Sequence, residues 1–171
     1  FAGYPLPDTI TLYFDQMGTV GSALNYNSSS IYAFARNVAN ESLASSLGIL
    51  AAFMLMAAVF AWAFVRRRYL NNWAILGCAV ILCVGIPYFL PHMHERYFFV
   101  ADILTLALAV AAPEYMVLPV LTQFASLLGY HAYLKGRYLM PMSYGAVALA
   151  VVLIGAVFFT AAQLRPAGRR S

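Results

Sequence analysis

Charged side chains are scarce in this chain: 9% of 171 residues, with six Asp and Glu against ten Lys and Arg. Soluble globular domains carry about a quarter of their residues as charge. The scarcity therefore excludes that class, and a hydrophobic fraction of 63% with a mean hydropathy of +0.77 assigns the chain to a membrane. Cysteine is almost as rare. Cys78 and Cys83 lie in one apolar run, five apart and on different faces of a helix, so they read as packing residues rather than a disulfide or metal pair. There is no Gly-rich phosphate loop and no nucleophile elbow, so the catalytic motifs of soluble enzymes are missing. Residues 1–8 have neither a basic n-region nor an apolar h-region, so they form no signal peptide. A sequence opening on Phe1 is expected to begin inside a longer protein.

Long apolar runs are what the chain does have. A crossing of about 30 Å of hydrocarbon takes about 20 residues, and the runs predict an all-α transmembrane fold with about five spans. These are residues 47–65, 72–90, 98–112, 115–133 and 143–164. Gly77, Gly85 and Pro87 are tolerated inside the second because neighbouring helices can satisfy freed backbone groups. Residues 44–171 thus form a helical bundle, and residues 1–43 a polar and aromatic segment with short helix-like pieces near 8–17 and 30–38. Asp8 is placed to cap the first piece, and residues 25–30 read as loop.

Arginine distribution orients the spans. Arg66, Arg67, Arg68, Arg165, Arg169 and Arg170 fall on one side; Arg36, Arg96, Lys135 and Arg137 fall on the other, diluted by Asp8, Asp15, Glu41 and Glu95. Positive charge collects on the cytoplasmic face. The carboxyl end is therefore expected in the cytoplasm, and residues 1–43, the loop near residue 94 and the Lys135-Gly136-Arg137 turn on the extracytoplasmic face of an inner membrane. The net charge of +4 is then a product of topology and implies no nucleic-acid partner. Asn27-Ser28-Ser29 and Asn40-Glu41-Ser42 match the glycosylation acceptor pattern, which is too short to carry weight.

Between the second and third spans lies the densest polar cluster, Pro91-His92-Met93-His94-Glu95-Arg96-Tyr97-Phe98-Phe99-Val100-Ala101-Asp102. Ionisable residues at membrane depth mark functional sites by default. A third helix that began before His94 would line Glu95, Phe99 and Asp102 along one face. Arg96 has the planar fork that suits phosphate, and His92 and His94 add groups able to carry positive charge near neutral pH. The ordinary alternatives are interfacial anchoring by Arg96 and Tyr97, an ion pair from Glu95 to Arg96 or Lys135, and a carbonyl partner for His92. His92, His94 and Glu95 number enough for a metal, but adjacent loop residues rarely aim at one point, so no metal is expected.

The run His92-Met93-His94-Glu95-Arg96-Tyr97-Phe98-Phe99 followed by Ala101-Asp102 resembles a signature near the carboxyl end of bacterial mannosyltransferase-like membrane proteins. These are related to the second GPI mannosyltransferase, within the GT-C glycosyltransferases. Tyr13-Phe14-Asp15-Gln16, Gly18-Thr19, Leu24-Asn25-Tyr26-Asn27 and Ile31-Tyr32 are similar to the loop preceding the last helices of that family. Val100 stands where the family has proline, and Ser28-Ser29-Ser30 where an Ala-Pro-Asn type sequence is common. The resemblance implies transfer of a sugar, mannose being the one it points to, from a polyprenyl-phosphate donor to an extracytoplasmic acceptor, with no cofactor. It implies donor binding by His92, His94, Glu95, Arg96, Tyr97 and Asp102, and a substrate loop containing Gln16, Asn25 and Asn27. The family's catalytic base, an acidic residue in the first extracytoplasmic loop, has no counterpart here and is expected outside this chain, in an amino-terminal half or a partner membrane subunit. The competing readings are a non-catalytic membrane subunit and a component of a lipid-linked sugar transporter.

Overall fold

A computed structural model describes residues 23–35 and 39–165. Gln16, Arg36, Arg169, Arg170 and the helix-like piece at 8–17 lie outside the described residues. Among those described the fold is helical, with α1 at Glu41–Val65, α2 at Asn72–Phe89, α3 at Phe99–Ala111, α4 at Val117–Lys135 and α5 at Met142–Gln163. Two 2-residue strands, β1 at Asn25–Tyr26 and β2 at Met93–His94, are the exception.

Local chemistry sets the helix starts. The Asn40 side chain accepts a hydrogen bond from the Leu43 amide at 3.0 Å, so α1 begins at Glu41, earlier than hydropathy alone places it. Asn71 caps α2 in the same way through the Ala74 amide at 2.9 Å. Between these helices Arg67 and Arg68 sit in a short 3-10 turn, with the Arg67 guanidinium 4.8 Å from the Phe64 ring. Left-handed Gly136 terminates α4.

Among the described residues three helices, α1, α2 and α5, are long and apolar enough to cross a membrane, the mark of an integral membrane protein. In hydrocarbon, helices associate through close packing rather than by escaping water, and the sequence supplies small residues for it. The inward face of α4 carries Thr122, Ala125, Ser126, Gly129 and Ala132. That of α5 carries Gly145, Ala146, Leu149, Val152 and Ala156. Helix α5 packs between α2 and α4, with α3 against α4 and α1 against α2. Ile81, Phe98, Leu108, Leu149 and Phe159 fill the centre. The hydroxyls of Thr105, Thr122 and Thr160, all fully buried, donate to carbonyls one turn back at 2.8, 2.8 and 2.7 Å. These three hydroxyls are thereby satisfied without leaving their own helices.

Candidate functional site

The ends of α2 and α4 and the starts of α3 and α5 meet at the same end of the bundle, and the polar cluster lies there. Strand β1 pairs in parallel with β2, matching Asn25 to Met93 and Tyr26 to His94. The His92 amide donates to Leu24 O at 2.9 Å, and His92 Nδ1 to Ala23 O at 2.8 Å. A carbonyl can only accept, so the proton is on Nδ1 and Nε2 is the nitrogen left for other work. The Tyr26 and His94 rings stack at 4.8 Å and 14°, His94 leans on Tyr97 at 6.2 Å, and the Arg96 guanidinium stands 6.0 Å from the Tyr97 ring.

Residues 25–28 fold on themselves. Asn25 Nδ2 donates to Ser28 O, and the Ser28 amide donates to Asn25 Oδ1, both at 2.8 Å. This side-chain turn holds Asn27 at φ 56°, and across the β1–β2 bridge His92 sits at φ 60°. Two non-glycine residues in the left-handed region, one at each end of the same bridge, are the kind of local strain found at functional sites. The Tyr138 hydroxyl donates to Asn27 Oδ1 at 2.6 Å, tying the α4–α5 turn to this loop.

Ser28, Ser29 and Ser30 are all buried, which their composition does not announce. The segment wedges against two glycines. A Cβ on Gly129 would come within 2.8 Å of Glu95 Cβ and 2.9 Å of Asn27 O, and one on Gly145 would collide with Ser29 Oγ. Only hydrogen at these positions lets the loop reach α4 and α5. Ser29 Oγ donates to Ala125 O at 3.0 Å, while Ser28 Oγ and Ser30 Oγ are buried without a partner among the described residues. Just outside the membrane-length helices, Tyr32 donates to Ala44 O of α1 at 3.0 Å, and burial pushes its phenol pKa up.

Glu95 opens a 3-10 turn, Glu95–Phe98, rather than the first turn of α3. The tighter winding breaks the expected one-face alignment: Phe99 turns outward, 57% exposed, while Glu95 and Asp102 stay inside at 6% and 7%. Asp102 Oδ1 accepts a hydrogen bond from Ser126 of α4 at 2.8 Å. Among the described residues Glu95 Oε2 is buried with no hydrogen-bond partner, and Tyr130 lies within electrostatic reach of both carboxylates. Arg96 and Tyr97 are exposed. Among the described residues no group of three or more His, Cys, Asp or Glu is placed to hold a metal.

Hollows lie at this end of the bundle. A groove of about 380 Å³, lined by Leu82, Cys83, Ile86, Pro87, Leu90, Met93, Tyr97 and Val100, runs along α2 and is almost wholly apolar. A cleft of about 510 Å³ lies between Asn25, Tyr32 and residues 138–143. A basic hollow of about 410 Å³ is lined by His131, Lys135, Arg137, Tyr138 and Leu139. The structure thus brings Asn25, Asn27, His92, His94 and Glu95 together, leaves Arg96 on the rim beside Tyr97, and sets Asp102 deeper against Ser126. Sequence reasoning missed the buried serines and Gly129; the only signal for them was the pairing of small residues on α4 and α5. No family model, curated protein or solved structure matches this chain.

Proposed function

We propose that this bundle is the donor-binding part of a GT-C glycosyltransferase that moves a sugar from a polyprenyl phosphate to an extracytoplasmic acceptor. The observation that carries the reading is an apolar groove ending beside a cation. Tyr97 lines the 380 Å³ groove, and the Arg96 guanidinium stands 6.0 Å from its ring. A lipid phosphate needs both: hydrocarbon contact for its chain and a planar donor fork for its head. The unpartnered Oε2 of Glu95 adds an acceptor for a sugar hydroxyl, since a buried carboxylate oxygen without a donor is costly unless a ligand supplies one. The resemblance singles out 24–27 and 92–102 separately, and their pairing through β1 and β2 supports it.

In the reaction so proposed, an acceptor hydroxyl displaces the lipid phosphate at the anomeric carbon. A base outside these residues takes the hydroxyl proton, and the leaving phosphate keeps the bond electrons. Arg96, with His92 or His94, offsets the charge developing there. Helix α4, with 19 residues, rises about 28 Å. The 13 residues of α3 with the 3-10 turn before them rise nearly as far. Both then complete five crossings, with the cluster extracytoplasmic and the Arg66–Arg68 end cytoplasmic.

The test is Arg96→Ala in the full protein, assayed for labelled-sugar transfer from a polyprenyl-phosphate donor. Transfer should disappear while membrane insertion is unchanged; an unaltered rate would remove Arg96 from the site. A second reading, a non-catalytic subunit, is favoured by α1, whose most apolar stretch is 17% buried against 44% for α2 and α5. Stable copurification with a larger membrane protein whose activity survives loss of the whole cluster would select it.

A further inference from the structure

We infer that the turn between α4 and α5 is a separate binding site for a phosphate group, and that its natural source is the headgroup of an anionic membrane lipid. The hollow there holds about 410 Å³, ample for a headgroup phosphate, and among the described residues that line it are His131, Lys135 and Arg137. Among the described residues no carboxylate lines it. The His131 ring is already oriented, because Nδ1 donates to Arg137 O at 3.1 Å. The same bond holds the Arg137 backbone against α4, so the turn's two cations are presented on a braced frame. Gly136 at φ 61° makes the tight reversal that sets Lys135 and Arg137 on either side of it.

Depth selects a lipid. Tyr133 and Leu134 before the turn and Tyr138 and Leu139 in it are 63 to 72% exposed, an aromatic and aliphatic collar around the cations. Such a collar sits where acyl chains give way to headgroups, and basic side chains at that level attract anionic lipid. The inference does not depend on sugar transfer, because none of the three basic residues belongs to the cluster around Glu95.

The experiment uses the full protein in mild detergent, with dihexanoyl-phosphatidylglycerol, dihexanoyl-phosphatidylcholine and inorganic phosphate as probes, and binding read by native mass spectrometry and thermal shift. The phosphatidylglycerol should bind, and the double variant Lys135→Gln/Arg137→Gln should weaken it about thirtyfold, two surface cations' worth of attraction. Both side chains are exposed, so the variant should melt as the parent does. Replacing Arg66, Arg67 and Arg68 by Gln, at the other end of the bundle, should leave binding intact. Inorganic phosphate binding as tightly as the lipid would retain the site and make free phosphate its source. Equal binding of phosphatidylcholine, or undiminished binding by the double variant, would overturn the site.

Discussion

Tyr26 and His94 are opposed in the β1–β2 bridge and stack ring on ring at 4.8 Å and 14°. The stack connects the loop before α1 to the polar cluster before α3, and aromatic pairs of this kind contribute about 0.5–1.5 kcal/mol beyond area burial. Tyr26→Ala and His94→Ala should each lower thermal stability modestly. In a double-mutant cycle the pair should show a coupling of about 1 kcal/mol. Strict additivity would mean that the rings merely lie near one another.

Glu95→Gln separates stability from function. A buried carboxylate with one oxygen unpartnered is a liability to the fold, and the amide relieves it at nearly constant volume. The variant is expected to unfold at a higher temperature than the parent and to lose at least about a hundredfold in transfer, the scale of one positioned charged group. A variant both destabilised and fully active would show Glu95 to be a structural residue alone.

Gly129→Ala should be far more damaging than a single methyl group suggests. The added carbon would press on Glu95 Cβ and on the backbone oxygen of Asn27, neither of which is the end of a flexible side chain. Overpacking of this kind costs about 1–3 kcal/mol. The substitution should also reduce transfer, since it separates the loop from the cluster. Thermal unfolding in detergent measures the first effect and the donor assay the second.

Ser126→Ala removes the donor to Asp102 Oδ1 and leaves a buried carboxylate short of a partner. The expected loss is about 1.5–3 kcal/mol. Asp102→Asn should cost less, because the amide oxygen still accepts from Ser126. The order of the two melting temperatures is the check, and a reversed order would show that the charge of Asp102 matters more than the bond.

Tyr32→Phe deletes the bond that fastens the loop to Ala44 of α1, at an expected cost of about 1 kcal/mol. Burial raises the folded-state phenol pKa above its unfolded value of about 10. The unfolded chain therefore gives up its proton first, and the contribution is whole below that pH and falls away as pH rises through the folded value. The parent should lose stability at alkaline pH, and Tyr32→Phe should lose less over the same range.

The apolar runs made the helices legible. The expected 143–164 is the observed Met142–Gln163, and 72–90 is Asn72–Phe89. Capping accounts for the largest difference in a start: Glu41, Ser42, Ser45 and Ser46 look like loop on a hydropathy scale, but Asn40 begins a helix there. Helix α4 is shifted by two residues to Val117–Lys135 because residues Pro113–Tyr115 form their own 3-10 turn. The polar cluster could be located from its composition, yet its inner and outer members could not be told apart. Glu95 and Arg96 are neighbours in sequence, and a 3-10 turn sends one inward and the other outward. Ser28, Ser29 and Ser30 were least legible, because their burial depends on glycines in helices far along the chain.

Ser29 is hydrogen-bonded to a carbonyl 96 residues downstream and lies against Gly145. A ribosome making this protein therefore releases the loop long before its resting place exists. The three serines must wait unseated while α1, α2 and α3 are made, and they can seat only after α4 and α5 arrive. Assembly of the cluster thus waits for α5, and a nascent chain halted before residue 145 would carry every one of its polar residues without the pocket they make.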